Sequence, residues 1–223
     1  MFNFVTSFYT SFTLNDLWFM IKGAGTTLAL TFWAVLGGTL LGVAFGLARA
    51  SLPWWLNAPI GFILDIFRSV PLLIQFVLAN SFKSIIGLNW GPFTVGCVVL
   101  AAYTAAYCTE IVRAGILSVP AITRRAARSL GMTWRQDLTS IVFPIALRVA
   151  MPSWIGLALG VMKDTALVLW IGIVELLRSA QIIVTRIQEP LFVLSLAGLI
   201  YFVMSFPIAR LGARLEKRWH AID

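Results

Sequence analysis

The feature that most constrains this chain is the repetition of apolar runs of about 20 residues, separated by short gaps that hold most of its cations. Wound as a helix at about 1.5 Å per residue, a run of that length matches a hydrocarbon layer about 30 Å thick. In lipid every backbone N–H and C=O must be satisfied within the segment, so such runs cross as helices. With 60% hydrophobic and 12% charged residues and a mean hydropathy of +0.91, the 223 residues do not fit a soluble domain. The formal charge of +8 forms no single solvated basic face, which argues against nucleic acid as a partner. The cations gather instead in three gaps, as the positive-inside bias predicts for cytoplasmic loops.

The pattern predicts an all-α integral membrane protein with five transmembrane helices, over residues 26–48, 59–79, 93–112, 141–162 and 191–209. Residues 1–25 read as an N-terminal periplasmic or interfacial segment, with no basic start or sustained apolar core to suggest a cleavable leader. Residues 49–57 read as a short loop. The run at 166–177 is too short to cross and reads as a re-entrant or interfacial segment after the fourth span. Residues 210–223 form a basic cytoplasmic tail, and 26–209 are the transmembrane domain. Placing the basic loop at 113–135 and the basic tail on one side requires an even number of crossings between them. The N-terminus then lies outside and the C-terminus in the cytoplasm of a bacterial inner membrane.

Within the spans, Gly38, Gly42 and Gly46 put small residues on one helix face, as close helix packing requires. Gly156 and Gly160 repeat the spacing in the fourth span. Pro71 breaks the second. Cys97 and Cys108 are too far apart along one helix to pair and behave as small apolar side chains. Asp65, Arg68, Glu110 and Lys163 are ionisable and sit in or at the end of spans, which makes them candidates for a substrate path. The pairs Asp65–Arg68 and Glu110–Arg113, three residues apart, fit internal ion pairs equally well.

No catalytic set is present. His220 is the only histidine, and no metal-ligand, nucleophile-elbow or phosphate-loop pattern occurs. Any nucleotide must bind another chain. The long polar island, from Pro120 to Pro144, remains to be explained. Pro120 is placed to start a short helix containing Arg124, Arg125, Ala126, Ala127 and Arg128, with Gly131 to stop it. The paired alanines would form a thin flank able to sit in a protein groove; a loop held at anionic lipid headgroups by its arginines is the alternative.

In this island the chain resembles the permease subunits of ABC importers of the polar amino-acid uptake type. Their Glu-Ala-Ala, three residues, Gly, nine residues, Ile, one residue, Leu-Pro pattern is matched in spacing by Arg125-Ala126-Ala127, Gly131, Ile141 and Phe143-Pro144. Further segments resemble the same family: Gly23 to Leu28, Phe67 to Gln75, Ala106 to Ile116, and Lys163 to Leu167 with Ile171-Gly172 and Glu175-Leu176. The resemblance implies that two permease subunits form the pathway and that each couples to a cytoplasmic ABC ATPase dimer through the short helix of its coupling loop, here about 114–140. It also implies a periplasmic or surface amino-acid-binding protein, with ATP and Mg on the ATPase and no cofactor on this chain. The family Glu is Arg125 here, which reverses the charge offered to the ATPase and suggests a heterodimer with a second permease subunit of different sequence, in which that subunit or the ATPase carries the compensating charge. A non-conducting scaffold or regulatory subunit is the alternative.

Overall fold

The computed structural model describes residues 12–220, with side chains through Trp219. The start of the expected 1–25 segment and the last three tail residues lie outside the described residues, as does the His220 side chain. Nine α-helices carry the described chain, and no strand occurs among these residues. They are α1 Leu14–Ser51, α2 Trp54–Ser69, α3 Leu72–Ile85, α4 Pro92–Leu117, α5 Ala121–Ser129, α6 Trp134–Asp137, α7 Phe143–Asp164, α8 Leu176–Ile187 and α9 Pro190–His220. A π-helical turn, Leu138–Val142, joins α6 to α7, and a 3₁₀ segment, Thr165–Ile171, follows α7.

Four helical stretches are long and apolar enough to cross a membrane, and the α2–α3 pair, bent by 105°, makes a fifth if counted as one span. The elbow follows from the sequence. Val70 precedes a proline and takes an extended conformation (φ −82°, ψ 128°), which ends α2. Gln75 then ties the break together, its Nε2 donating to the carbonyls of Phe67 and Val70 at 2.8 Å each. These carbonyls would otherwise be orphans at the end of α2.

The boundaries differ from the sequence expectation in three places. First, α1 begins at Leu14, where Thr13 N–H donates to Asp16 Oδ2 at 2.8 Å, and runs on through residue 49, so the expected lead-in and the start of the expected 49–57 loop are both helical. Second, the polar residues after 175 form α8, capped by Glu175, whose carboxylate accepts from Leu177 N–H at 2.9 Å and Arg178 N–H at 2.7 Å. The short 166–177 run is a 3₁₀ segment that turns at Gly172, in the left-handed region at φ 87°. Third, α9 continues through the basic tail to residue 220. The π turn lies immediately before Pro144, which lacks the N–H that a regular α-helical ladder needs there.

The bundle is built on α1 against α4. A Cβ placed on Gly38, Gly42 or Gly46 would lie 2.4, 2.5 and 2.7 Å from the Cβ atoms of Thr104, Cys108 and Val112 respectively. Both series rise by four, so the helices run parallel, and α2–α3 must return the chain to the starting end between them. Antiparallel α7 meets α4 where a Cβ on Gly115 would sit 2.8 Å from the Ala146 carbonyl oxygen. At the opposite end, Met20 and Ala24 of α1 pack with Leu176, Ala180 and Ile183 of α8 and Val193 and Ala197 of α9. Asp16 adds an ion pair to Arg186 at 2.6 Å. The central apolar core joins Leu30, Phe76, Leu100, Val161 and Val168 from five different segments.

The ladder has a direct test. Gly42→Val should lower the thermal midpoint of the detergent-solubilised protein by several degrees, an overpacking cost of about 1–3 kcal/mol. Gly37→Ala, whose added methyl meets only the Ala101 Cβ at 3.5 Å, should leave it unchanged. Equal midpoints for both variants would remove the ladder from the account of stability.

Candidate functional site

Two polar constructions stand at the end of the bundle where α4 turns into α5. The first centres on Glu110, about two turns before the end of α4. Its Oε1 accepts from Arg49 Nη1 of α1 and lies 3.8 Å from Arg68 Nη2 of α2, while its Oε2 lies 3.6 Å from Arg113 Nη1. Arg68 also pairs with Asp65, and Arg49 Nε donates to Asn57 Oδ1 at 2.7 Å. A Cβ on Gly61 would lie 2.8 Å from Arg49 Nη2, so the guanidinium lies directly against the α2 backbone. Three arginines face two carboxylates, which leaves the cluster with one net positive charge. It fastens the last turn of α1, α2 and α4 to one another.

Asp65, Arg68 and Glu110 are therefore brought together, and Lys163 is not. Lys163 is exposed in the last turn of α7, where the charge it interacts with is that of its neighbour Asp164. Measured from the Gly115–Ala146 crossing, it stands roughly 18 Å along the bundle axis from Glu110. Arg49 was legible only as a loop residue. Its recruitment depends on a contact across 61 residues that no local pattern carries.

The second construction is the α5 corner. Helix α5 ends in a full Schellman closure: Met132 N–H donates to the Ala127 carbonyl at 3.2 Å and Gly131 N–H to the Arg128 carbonyl at 3.0 Å, with Gly131 at φ 83°. Thr133 and Gln136 then form a capping box that starts α6. Asp137 at the end of α6 is fully buried. Its Oδ2 accepts from Arg124 Nε and Nη2 at 3.1 Å each, and Arg128 Nη2 lies 3.9 Å away. This carboxylate sets the rotation of α5 about its own axis.

With that rotation fixed, Ala127 is buried within the chain and Ala126 is exposed, so the two alanines do not form one outward flank as the sequence suggested. The outward ridge comprises Ile122, Arg125, Ala126, Ser129 and Leu130, with Ile122 73% and Leu130 85% exposed. Among the described residues the Arg125 side chain donates to the Ala121 carbonyl of its own helix, at 3.3 Å. Sequence reasoning named the arginines but missed Asp137, which lies 13 residues from Arg124 behind a turn.

A third acid, Glu175, is fully buried among hydroxyl donors rather than cations. Tyr201 donates to its Oε2 at 3.0 Å and Thr27 Oγ1 lies 3.4 Å away, in addition to the two α8 N–H groups. This arrangement satisfies the carboxylate and fastens α8 to α1 and α9.

No group of three or more potential metal ligands occurs among the described residues. The fold is that of a polytopic helical membrane protein with a short basic helix projecting from one end. The comparisons specify which kind. Residues 38–221 match the model of the binding-protein-dependent transport system inner membrane component family, and the chain belongs to that family, in its polar amino-acid ABC transporter branch. Octopine transport system permease protein OccM of Rhizobium meliloti is 34% identical over 207 residues, covering 88% of this chain and 84% of its own. The probable amino-acid ABC transporter permease protein YckA of Bacillus subtilis (strain 168) is 32% identical over 213 residues, covering 95% and 94%. The crystal structure of an amino acid ABC transporter with histidines superimposes with a TM-score of 0.81 at 32% identity, over 90% of this chain and 94% of that one. The chain is thus a non-catalytic permease subunit of an amino-acid ABC importer.

The role of Asp137 in holding α5 can be read by proteolysis. Asp137→Asn should release Arg124 and Arg128 and speed trypsin cleavage at the α5 arginines at least several-fold in membranes. Unchanged cleavage would show that α5 is held by its caps alone.

Proposed function

We propose that this chain forms half of a heterodimeric pathway for a polar amino acid, its N-terminus outside and its C-terminus in the cytoplasm of the inner membrane. On this reading α5 docks on a cytoplasmic ABC ATPase dimer that carries the ATP and Mg. A binding protein delivers the amino acid at the opposite end, and this chain binds no cofactor. Closure of the ATPase dimer moves α5 as a rigid body and rocks the attached helices, switching the face to which the path opens.

The observation that carries the reading is the α5 ridge: an exposed apolar and basic surface on a helix whose rotation is fixed from behind by a buried acid. A second subunit is supported by α7. A Cβ on Gly156 or Gly160 would meet nothing within 4 Å, so these glycines do not serve packing within the chain as Gly38, Gly42 and Gly46 do. In the path, Asp65, Arg68 and Glu110 act with Arg49 as one unit joining α1, α2 and α4 at the inner end. Lys163, exposed and apart from that cluster, is the candidate of the four suited to meet the substrate carboxylate.

Proteoliposomes containing the whole complex should take up amino acid only with binding protein outside and ATP inside. Flux without ATP, or a complex that hydrolyses ATP but does not transport, would overturn the reading in favour of a channel or a regulatory subunit. In the same assay Glu110→Gln should lower uptake at least tenfold, since it leaves Arg49, Arg68 and Arg113 facing one another with a single carboxylate. Lys163→Ala should raise the half-saturating substrate concentration with little effect on ATPase retention. Purification of a complex holding one permease species only would remove the heterodimer.

A further inference from the structure

The geometry points to a partner cleft of reversed charge: the ATPase that receives α5 carries a carboxylate opposite Arg125, set in an otherwise apolar groove. The inference rests on the reading of α5 as a docking helix and adds the chemistry of what receives it. Three arginines fall within five residues of α5, and they are not equivalent. Asp137 takes Arg124 with two hydrogen bonds and draws Arg128 to 3.9 Å, so both are turned toward the chain's own α6. Arg125 is exposed about 60° farther round the helix than Arg128, beside Ile122 and Ser129 and at the edge of a surface hollow it lines with Ala121, Arg124 and Arg128, with no carboxylate among the described residues to meet it.

The surface offered is therefore two large apolar side chains, Ile122 and Leu130, beside the one guanidinium of the three that Asp137 does not hold. Burying such a ridge in a groove removes the guanidinium from water, which is strongly unfavourable unless the groove returns a charge-assisted hydrogen bond. A groove offering a cation at that position would add like-charge repulsion and be rejected. A carboxylate is the group that answers a planar guanidinium bidentately. The rest of the ridge, Ala126 and Ser129, is small enough to let the helix approach the groove floor. Nothing else in the corner neutralises Arg125: Arg135 adds positive charge, and Asp137 is buried with Arg124.

The test uses the full complex, expressed with its own ATPase and purified through this chain. Arg125→Glu should reduce the co-purified ATPase and ATP-driven uptake at least tenfold, and Arg125→Lys by much less. Reversing one acidic residue of the ATPase groove to Arg should restore both in the Arg125→Glu background while impairing the wild type. ATPase retention unchanged by Arg125→Glu would overturn the inference, and so would loss that no groove carboxylate reversal restores. Normal co-purification changes with a wild-type complex that fails to transport would instead overturn the functional reading and leave the cleft chemistry intact. Size-exclusion of the variants separates loss of docking from misfolding.

Discussion

The close parallel contact of α1 and α4 is the constraint on which the remaining structure depends. Without side chains at Gly38, Gly42 and Gly46, Thr104, Cys108 and Val112 reach the α1 backbone, and dispersion contacts accumulate along three turns. In a lipid environment no solvent drives helices together, so this fit must supply the association that burial supplies in water. Because the contact is parallel, everything between the two helices must return the chain to its starting end. The Pro71 elbow, secured by Gln75, is how α2 and α3 do so.

That same contact places the charges. Register along the ladder brings the last turn of α1 beside the last turns of α4, and Arg49 arrives at Glu110 as a result. The cluster sits at the bundle's end rather than its middle, where partial access to water lowers the cost of holding five charges together. Its members tie α1 and α2 to α4, the one helix of the three that leads into α5, while α7 is joined to α5 by the chain through α6.

Much of this was legible in the sequence, and the reasons are local. The apolar runs fixed the spans, Pro71 the break, and Pro120 with Gly131 the limits of α5, since each depends on a residue's own backbone chemistry. Asp65 with Arg68 and Glu110 with Arg113 were visible because three residues make less than one helical turn. What was not legible depends on distant partners. Arg49 looked like a loop residue because the apolar run ended before the helix did. Asp137 looked like surface on a polar island, yet it is buried by the arginines that turn back on it. Glu175 gave no sign that Thr27 and Tyr201, 148 and 26 residues away, complete its shell. The alanine pair misled because the long Arg124 and Arg128 side chains held by Asp137, not the alanines, decide which way α5 faces.

The π turn at Leu138–Val142 carries a consequence of its own. A π turn holds one residue more than the α-helical path it replaces, so α6 and α7 are continuous in space but out of phase by one position. Asp137 stands on one side of that phase break and the membrane-spanning part of α7 on the other. The compass bearing of the projecting helix relative to the bundle is thus written by a single surplus residue. Removing it would shift the phase of α6 against α7 by about 100°, against the covalent tie that holds the corner to α4.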